Sequence, residues 1–263
     1  MNNILKTIIE TKKEEIIESK KNYSENELLK NITNDDIRNF SQSIKKTIKE
    51  GIPAIIAEIK KASPSQGIIS TNFNPTKIAS IYESNGATCI SVLTDNKFFQ
   101  GSPVYLKEAK SACSIPILRK DFIIDNYQVV ESRAMGADCI LLIAGALNLK
   151  QLLELENTAI ELGMDVLIES HNLKELEIAL QLKTQLIGIN NRDLTNFMVS
   201  LNTTISMLNH IPKDKIIVTE SGINSSSDIK LMQQNNVNAF LIGETLMKSN
   251  NPGEKLKELL SKQ

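Results

Sequence analysis

The segment Ala-Ile-Ile-Ala-Glu-Ile-Lys-Lys-Ala-Ser-Pro-Ser, residues 54–65, contains the pattern on which the rest of the chain is built. It begins with a short apolar run that is typical of a buried strand, and no turn residue interrupts it before Ser63 and Pro64. Because side chains alternate along a strand, Glu58 and Lys60 lie on the same face. The segment therefore predicts a strand that ends in two charges, which either pair at the surface or meet a charged ligand.

The same succession of apolar strand, polar loop and amphipathic helix recurs along the chain. It predicts eight strands, at residues 54–59, 88–93, 115–119, 138–143, 165–169, 186–190, 215–219 and 239–242. Strands that alternate with helices pair in parallel, and eight such units close most simply into a (β/α)8 barrel, the α/β fold known as the TIM barrel. A doubly wound open sheet is the alternative, but no Gly-x-Gly-x-x-Gly motif follows the first strand.

The first 50 residues carry helical patterns and no strand pattern. Ser24 and Glu27 form a capping box for a short helix, and a further helix over 41–50 ends at Gly51. The prediction therefore divides the chain into a helical extension, 1–50, and a barrel, 51–263. The extension is either a solvated arm or a cover over the barrel mouth, and in neither case is it expected to be needed to close the barrel.

Composition narrows the class of partner to a small molecule. The formal charge of -1 provides no basic field for nucleic acid, and no apolar run approaches the length of about 20 residues that spans a bilayer. The first residues lack the pattern of a secretory signal, which predicts a cytoplasmic protein. Three widely spaced cysteines predict reduced core thiols, and two histidines are too few for a histidine-rich zinc site.

Polar side chains follow nearly every predicted strand. In a barrel of this kind the carboxyl ends of the strands meet at one mouth, where the functional site lies. The polar groups at these ends are Glu58 and Lys60, Thr94 and Asp95, Lys120 and Asp121, Glu169, Asn190 and Arg192, Glu220 and Ser221, and Glu244. His171, beside Glu169, is interpreted as an incidental surface histidine. The remaining groups predict an inward-facing ring of acids, lysines, an amide and a guanidinium.

Glycines follow the last two predicted strands. Gly222 comes after Ser221 behind the seventh strand, and Gly243 precedes Glu244 behind the eighth. Such barrels commonly bind phosphate at these two loops, through backbone N–H groups and a helix N-terminus. The sequence therefore predicts a phosphorylated substrate, with Lys60 as a further source of positive charge.

Several motifs together resemble those of the indole-3-glycerol-phosphate synthase family. They are Ala-Glu-Ile-Lys-Lys-Ala-Ser-Pro-Ser at 57–65, Ile-Ser-Val-Leu-Thr-Asp at 90–95, Phe-Phe-Gln-Gly-Ser at 98–102, Leu-Arg-Lys-Asp-Phe at 118–122, Gly-Ile-Asn-Asn-Arg-Asp-Leu at 188–194, Glu-Ser-Gly-Ile at 220–223 and Leu-Ile-Gly-Glu at 241–244. The resemblance covers every part of the barrel. It also implies that the N-terminal extension packs over the barrel mouth, as it does in that family.

The resemblance implies a reaction of tryptophan biosynthesis. The substrate, 1-(2-carboxyphenylamino)-1-deoxyribulose 5-phosphate, cyclises with loss of carbon dioxide and water, and needs no cofactor. Lys120 matches the general acid and Glu169 the general base. The other implied site residues orient intermediates or bind substrate and phosphate: Glu58, Lys60, Asn190, Arg192, Ser63, Pro64, Phe98, Phe122, Glu220, Ser221, Gly222, Gly243 and Glu244. No metal is implied, and a monomer is expected.

Two other functions are compatible with the residues. In a Schiff-base enzyme, Lys120 or Lys60 would be the nucleophile. In a barrel that only binds a phosphosugar, the loop glycines would suffice for binding the phosphate. Lys120 and Glu169 would then have no function as an acid–base pair. For the synthase reaction, the sequence predicts that Lys60 lowers the pKa of Lys120 and that burial raises the pKa of Glu169, bringing both toward neutral pH.

Overall fold

The computed structural model describes residues 3–33, 36–70 and 72–261, and over these ranges eight parallel strands close into a barrel. The strands are β1 Ala54–Ile59, β2 Cys89–Leu93, β3 Ile117–Lys120, β4 Cys139–Ile143, β5 Asp165–Ser170, β6 Leu186–Asn190, β7 Ile216–Glu220 and β8 Ala239–Ile242. Each strand pairs with the next along the chain, and β8 closes the barrel by pairing with β1, with Ala239 opposite Ala54. The predicted (β/α)8 barrel is confirmed.

Helices follow the strands and cover the outside of the barrel. They are α4 Pro75–Ser84, α5 Pro103–Ala112, α6 Asn126–Ala134, α7 Leu149–Glu161, α8 Leu173–Ala179, α9 Asn202–Met207 with the 3-10 turn Leu208–His210, α10 Ser226–Gln234, α11 Glu244–Met247 and α12 Pro252–Leu260. Along β1, Ile55 and Ala57 pack outward with the helices, whereas Ala54 and Ile56 pack inside the barrel. Both faces of the strand are buried, which explains its continuous apolar sequence. Among the described residues, no helix combines the length and apolarity that crossing a membrane requires.

Two local features differ from the prediction by more than a shift of one residue. The third strand was expected at 115–119, but β3 begins at Ile117, because Pro116 has no N–H group for the strand ladder. The N–H group of Ile117 then donates to Asp138 Oδ2 at 2.8 Å. After β1, the chain forms a small antiparallel hairpin, Ala62–Ser63 with Gly67–Ile68, that the sequence did not predict. This hairpin carries the first loop toward the barrel mouth.

The described residues of the N-terminal segment form three helices, α1 Asn3–Asn22, α2 Glu25–Lys30 and α3 Phe40–Lys49. The predicted capping box of α2 is confirmed by reciprocal hydrogen bonds between Ser24 and Glu27. Helix α1 lies across the carboxyl ends of the strands. Its buried Lys12 pairs with Asp95 at 2.9 Å and with Asp121 at 3.0 Å, in the loops after β2 and β3. Because these two carboxylates are buried as well, the ion pairs fix α1 over the mouth.

Helix α3 lies at the opposite end of the barrel, against the first residues of the strands. Its Phe40 and Ile44 are fully buried in the barrel interior. Ser41 donates from its N–H and hydroxyl groups to the carboxylate of Asp165, the first residue of β5, at 2.8 and 2.9 Å. The segment expected to pack over the mouth is therefore divided between the two ends of the barrel, and α3 closes the bottom.

Two truncations are expected to have different effects because of this division. Removal of residues 1–49 deletes Phe40 and Ile44 from the core, and large-to-small changes at such positions typically cost about 2–5 kcal/mol each. We expect this chain not to fold, contrary to the expectation from sequence, whereas removal of residues 1–23 spares α3 and leaves a barrel with weakened substrate binding. Circular dichroism with urea unfolding measures the difference. Equal free energies of unfolding for the two chains would contradict it.

Candidate active site

A cavity of about 430 Å³ opens at the carboxyl ends of the strands, beneath α1. All but one of the predicted site residues line it: Glu58, Lys60, Ser63, Pro64, Lys120, Phe122, Glu169, Asn190, Arg192, Glu220, Ser221, Gly222, Gly243 and Glu244. Phe98 does not line the cavity. Its neighbour Phe99 does, with its ring centroid 6.0 Å from that of Phe122. Leu5 and Ile8 of α1 complete the apolar side of the cavity, which suits a planar aromatic group.

Lys120 occupies the centre of the polar side. It ends β3, and its Nζ lies 2.9 Å from Glu169 Oε2 and 2.6 Å from Glu220 Oε2. Of the strands that carry these carboxylates, β5 lies two places from β3 in the strand order, and β7 lies four places away, on the opposite side of the barrel. Side chains from three separated strands thus meet at one ammonium group.

The charges around Lys120 reverse the pKa shifts expected from sequence. Burial alone would lower the pKa of Lys120, but the carboxylates of Glu169, Glu220 and Glu58 raise it above its ordinary value. Burial likewise would raise the pKa of Glu169, but Lys120 and His171 hold it well below its ordinary value. The expectation was wrong because Lys120 and Glu169 contact groups of opposite charge, whereas the Nζ of Lys60 pairs with Glu58 at 2.6 Å.

Glu220 is the carboxyl group whose pKa is raised. Burial is the largest cause, and the neighbouring Glu169 adds to it against the opposing effect of Lys120, which brings the pKa of Glu220 to about 8. Its Oε1 is buried without a hydrogen-bond partner among the described residues. A Cβ atom at Gly188 of β6 would lie 2.4 Å from this oxygen. Gly188 therefore leaves the space that Glu220 occupies, a role that its motif did not reveal.

The two predicted phosphate-loop glycines also leave space for their neighbours. A Cβ atom at Gly243 would lie 2.2 Å from Glu58 Oε1, so any other residue there would displace the Glu58 carboxylate. Gly222 has φ +91°, and a Cβ atom there would lie 2.9 Å from Val199. Ser221, just before it, also adopts a left-handed conformation, with φ 63°. Both loops therefore bring their backbones close to the cavity.

Asn190 and Arg192 connect the remaining loops. Asn190 Nδ2 donates to Glu169 Oε1 at 3.3 Å, and Asn190 Oδ1 accepts from the Ser221 hydroxyl at 3.0 Å. Arg192 Nη2 pairs with Glu244 Oε2 at 3.0 Å. The amide is therefore oriented by two other site residues, and the guanidinium spans from the loop after β6 to the loop after β8.

His171 is not the incidental surface residue that the sequence suggested. Its Nε2 lies 3.2 Å from Glu169 Oε1, and its Nδ1 lies 3.0 Å from Glu175 Oε2. Burial would lower its pKa, but the two carboxylates raise it to about 10. The signal for this contact was present in the sequence: Asn172 caps α8, and Glu175, three residues later, reaches back to the N–H group of His171 at 2.8 Å.

Comparisons with known proteins point to one family. The family model described as "Indole-3-glycerol phosphate synthase" matches residues 5–259. The indole-3-glycerol phosphate synthase of Bordetella pertussis (strain Tohama I) is 52% identical over 262 residues, covering 99% of this chain and 100% of that protein. That of Polynucleobacter necessarius subsp. necessarius (strain STIR1) is 53% identical over 267 residues, with the same coverage.

Solved structures of low sequence identity share the fold. The 3-hexulose-6-phosphate synthase from Salmonella typhimurium has a TM-score of 0.62 at 13% identity and covers 78% of this chain and 96% of its own. KGPDC from Streptococcus mutans has a TM-score of 0.60 at 12% identity and covers 79% of this chain and 95% of its own. At this level of identity the likeness concerns the barrel alone.

Proposed function

Because the chain belongs to the indole-3-glycerol phosphate synthase family, we propose that Lys120 is the general acid and Glu169 the general base of that reaction. The protein is a carboxy-lyase of tryptophan biosynthesis. It converts 1-(2-carboxyphenylamino)-1-deoxyribulose 5-phosphate into indole-3-glycerol phosphate by ring closure, decarboxylation and dehydration. One observation carries the assignment of roles: Lys120 Nζ lies between the carboxylates of Glu169 and Glu220 inside the cavity.

Ring closure places negative charge on the ketone oxygen when a carbon of the anthranilate ring attacks it. An ammonium group near this oxygen stabilises the charge and supplies the proton. The raised pKa keeps Lys120 protonated throughout the neutral range, so the proton is available when substrate arrives. Loss of carbon dioxide then restores the aromatic ring.

Dehydration requires a base that removes a proton from the carbon next to the ring nitrogen. Glu169 is ionised at neutral pH, because its pKa is well below the ordinary value. It lies 2.9 Å from Lys120 and accepts a hydrogen bond from Asn190. Acid and base thus act on adjacent atoms of one intermediate without moving far.

The phosphate group of the substrate is assigned to the loops after β7 and β8. The backbones at Gly222 and Gly243 border the cavity, and Lys60 and Arg192 line it nearby. Backbone N–H groups without a side chain in the way are suited to phosphate oxygens. The apolar side of the cavity, at Phe99 and Phe122, is left for the anthranilate ring.

We assign activity to the monomer and the protein to the cytoplasm. The side chains of the proposed acid, base and phosphate site all come from one chain. The three cysteines are free and buried, as is usual for proteins of a reducing compartment. Size-exclusion chromatography with light scattering, and fractionation of the source cells, test the two assignments.

Incubation with the synthetic substrate tests the function directly. The expected result is indole absorbance and fluorescence together with release of one carbon dioxide per indole. Addition of borohydride during turnover should not trap the enzyme, since this reaction forms no imine with a lysine. Irreversible inactivation by borohydride in the presence of substrate would favour the Schiff-base reaction instead.

The raised pKa of Glu220 predicts that kcat/KM declines at alkaline pH. Below its pKa of about 8 the Glu220 carboxyl group is protonated, and above it the group is ionised and adds negative charge beside Lys120. Since the substrate carries a carboxylate and a phosphate, we expect kcat/KM to fall as pH rises through about 8. Profiles for the wild type and Glu220→Gln test this. If the same decline of kcat/KM persists in Glu220→Gln, a group other than Glu220 causes it.

A further inference from the structure

The structure contains a histidine–carboxylate arrangement behind the proposed base. Glu169 presents Oε2 to Lys120 at 2.9 Å and Oε1 to His171 Nε2 at 3.2 Å. The opposite ring nitrogen of His171 contacts Glu175 Oε2 at 3.0 Å. The four side chains thus form a continuous series from the centre of the cavity toward the outside of α8. The reaction steps described above use only Lys120 and Glu169.

Exposure increases along this series. The Glu169 side chain is 6% exposed, that of His171 12% and that of Glu175 21%. The Glu175 carboxylate is held by Asn172 Nδ2, which donates to Oε1 at 2.8 Å, and Gly145 leaves room beside it. A Cβ atom at Gly145 would lie 2.9 Å from Glu175 Oε1. A fixed, partly solvated carboxylate therefore orients the imidazole ring toward Glu169.

The reaction requires a route for protons into this cavity. Its substrate carboxylate leaves as neutral carbon dioxide, so substrate and one proton give product, carbon dioxide and water. Lys120 gives a proton to the ketone oxygen, and the proton that Glu169 takes from carbon balances one of the protons that leave in water. One proton per turnover must therefore come from solvent and end on Lys120 Nζ.

We propose that His171, oriented by Glu175, delivers this proton to Lys120 through Glu169. This inference rests on the proposed roles of Lys120 and Glu169. The Nε2–H bond of His171 breaks as an O–H bond forms at Glu169 Oε1, the carboxyl group turns, and its proton passes to Lys120 Nζ. The neutral imidazole keeps its Nδ1–H bond, and its Nε2 is buried in the resting position. The ring therefore turns Nε2 toward solvent, where an N–H bond forms as an O–H bond of hydronium breaks and water is left, and the ring then turns back. No other bond changes, and Glu169 returns to its ionised state for the next turnover.

The charges that face these groups favour this direction of transfer. Glu169 and Glu175 face His171, and they keep the imidazole protonated at neutral pH. Lys120 and His171 face Glu169, with Glu220 on the other side of Lys120. When Lys120 has given its proton to the substrate, it is neutral, and His171 is the remaining positive charge in contact with Glu169. The carboxylate then becomes a better acceptor for the proton of His171.

The test follows proton uptake and indole formation separately in a stopped-flow instrument. An indicator dye reports uptake in weak buffer and indole fluorescence reports product, with enzyme in excess and before released carbon dioxide hydrates. The wild type should show uptake in step with indole. In His171→Gln the first indole should form at nearly the wild-type rate. Proton uptake should lag by about 10²-fold, the lower end of what a positioned proton-transfer group contributes.

Two further variants complete the test. His210→Gln changes the other histidine, which is exposed in the 3-10 turn, and should behave as the wild type. Glu175→Gln keeps His171 but removes one of its carboxylates, so the decline of uptake with rising pH should begin at lower pH than in the wild type. This variant remains informative if His171→Gln does not fold.

Two results overturn the relay. The first is that His171→Gln takes up protons and forms indole together, both at the wild-type rate. The second is equal slowing of uptake and indole, which would make His171 only a support for Glu169. Failure of the proposed function looks different, because the wild type itself would then form no indole.

Discussion

Lys120→Met is expected to lower kcat by about 10²–10⁴, the usual contribution of a positioned acid or base. Methionine keeps the length of the side chain but has no proton to give to the ketone oxygen, so ring closure itself is blocked. The loss should therefore affect carbon dioxide and indole equally. The variant also leaves Glu169 and Glu220 without the ammonium group that both contact, so the pKa of each carboxyl group is expected to rise.

The control for this variant is Lys150→Met, whose side chain is 87% exposed on α7. It removes a lysine of the same chain without touching the cavity, and kcat should be unchanged. Single-turnover carbon dioxide release and indole fluorescence are measured for both proteins, with circular dichroism to confirm folding. A Lys120→Met protein with near-normal kcat across the pH range would remove Lys120 from the role of acid.

Glu169→Gln is expected to lower kcat by a similar factor, about 10²–10⁴, but at a different step. Glutamine preserves the shape of the side chain and its oxygen still contacts Lys120, so ring closure and decarboxylation proceed. The amide cannot accept a proton from carbon, and the reaction stalls before dehydration. With enzyme in excess, carbon dioxide should be released before indole forms. In Lys120→Met, by contrast, both products should be formed equally slowly.

Glu154→Gln provides the matched control, because Glu154 is 55% exposed and lies on the outer helix α7. Its carbon dioxide and indole traces should coincide with those of the wild type. If Glu169→Gln loses carbon dioxide and indole in equal proportion, Glu169 is needed before decarboxylation. The base for dehydration would then have to be sought among other residues of the cavity.

The barrel could be predicted from sequence because its determinants are local. Each strand is a short apolar run whose two faces are both buried, as at Ile55 and Ile56, and glycines such as Gly136 and Gly163, with φ +92° and +77°, end the preceding helix. The polar cavity residues at the strand ends, such as Lys120, Glu169 and Glu220, followed from their place there, whereas Ser63, Pro64 and Phe122 were implied only by the family resemblance. Thr94, Asp95 and Phe98 do not line the cavity. Asp95 pairs with Lys12 of α1, and two adjacent phenylalanines carry no local signal of which one faces the cavity.

The properties that could not be predicted depend on which groups meet across the barrel. The pKa of Lys120 depends on Glu169 and Glu220, which are 49 and 100 residues away along the chain. Likewise, the amphipathic pattern of α3 predicts a buried face but not the end of the barrel that it covers. These contacts between residues far apart along the chain form only when the barrel closes, and no short stretch of sequence determines how it closes.

The closure of the barrel bottom by α3 also has a consequence during synthesis. Ser41 bonds to Asp165, which the ribosome adds 124 residues later. At about 5–20 residues per second, Asp165 leaves the exit tunnel roughly 6–25 s after Ser41. Throughout this interval the barrel bottom that buries the side chains of Phe40 and Ile44 is incomplete, so these two apolar side chains are open to association with other molecules, a chaperone among them.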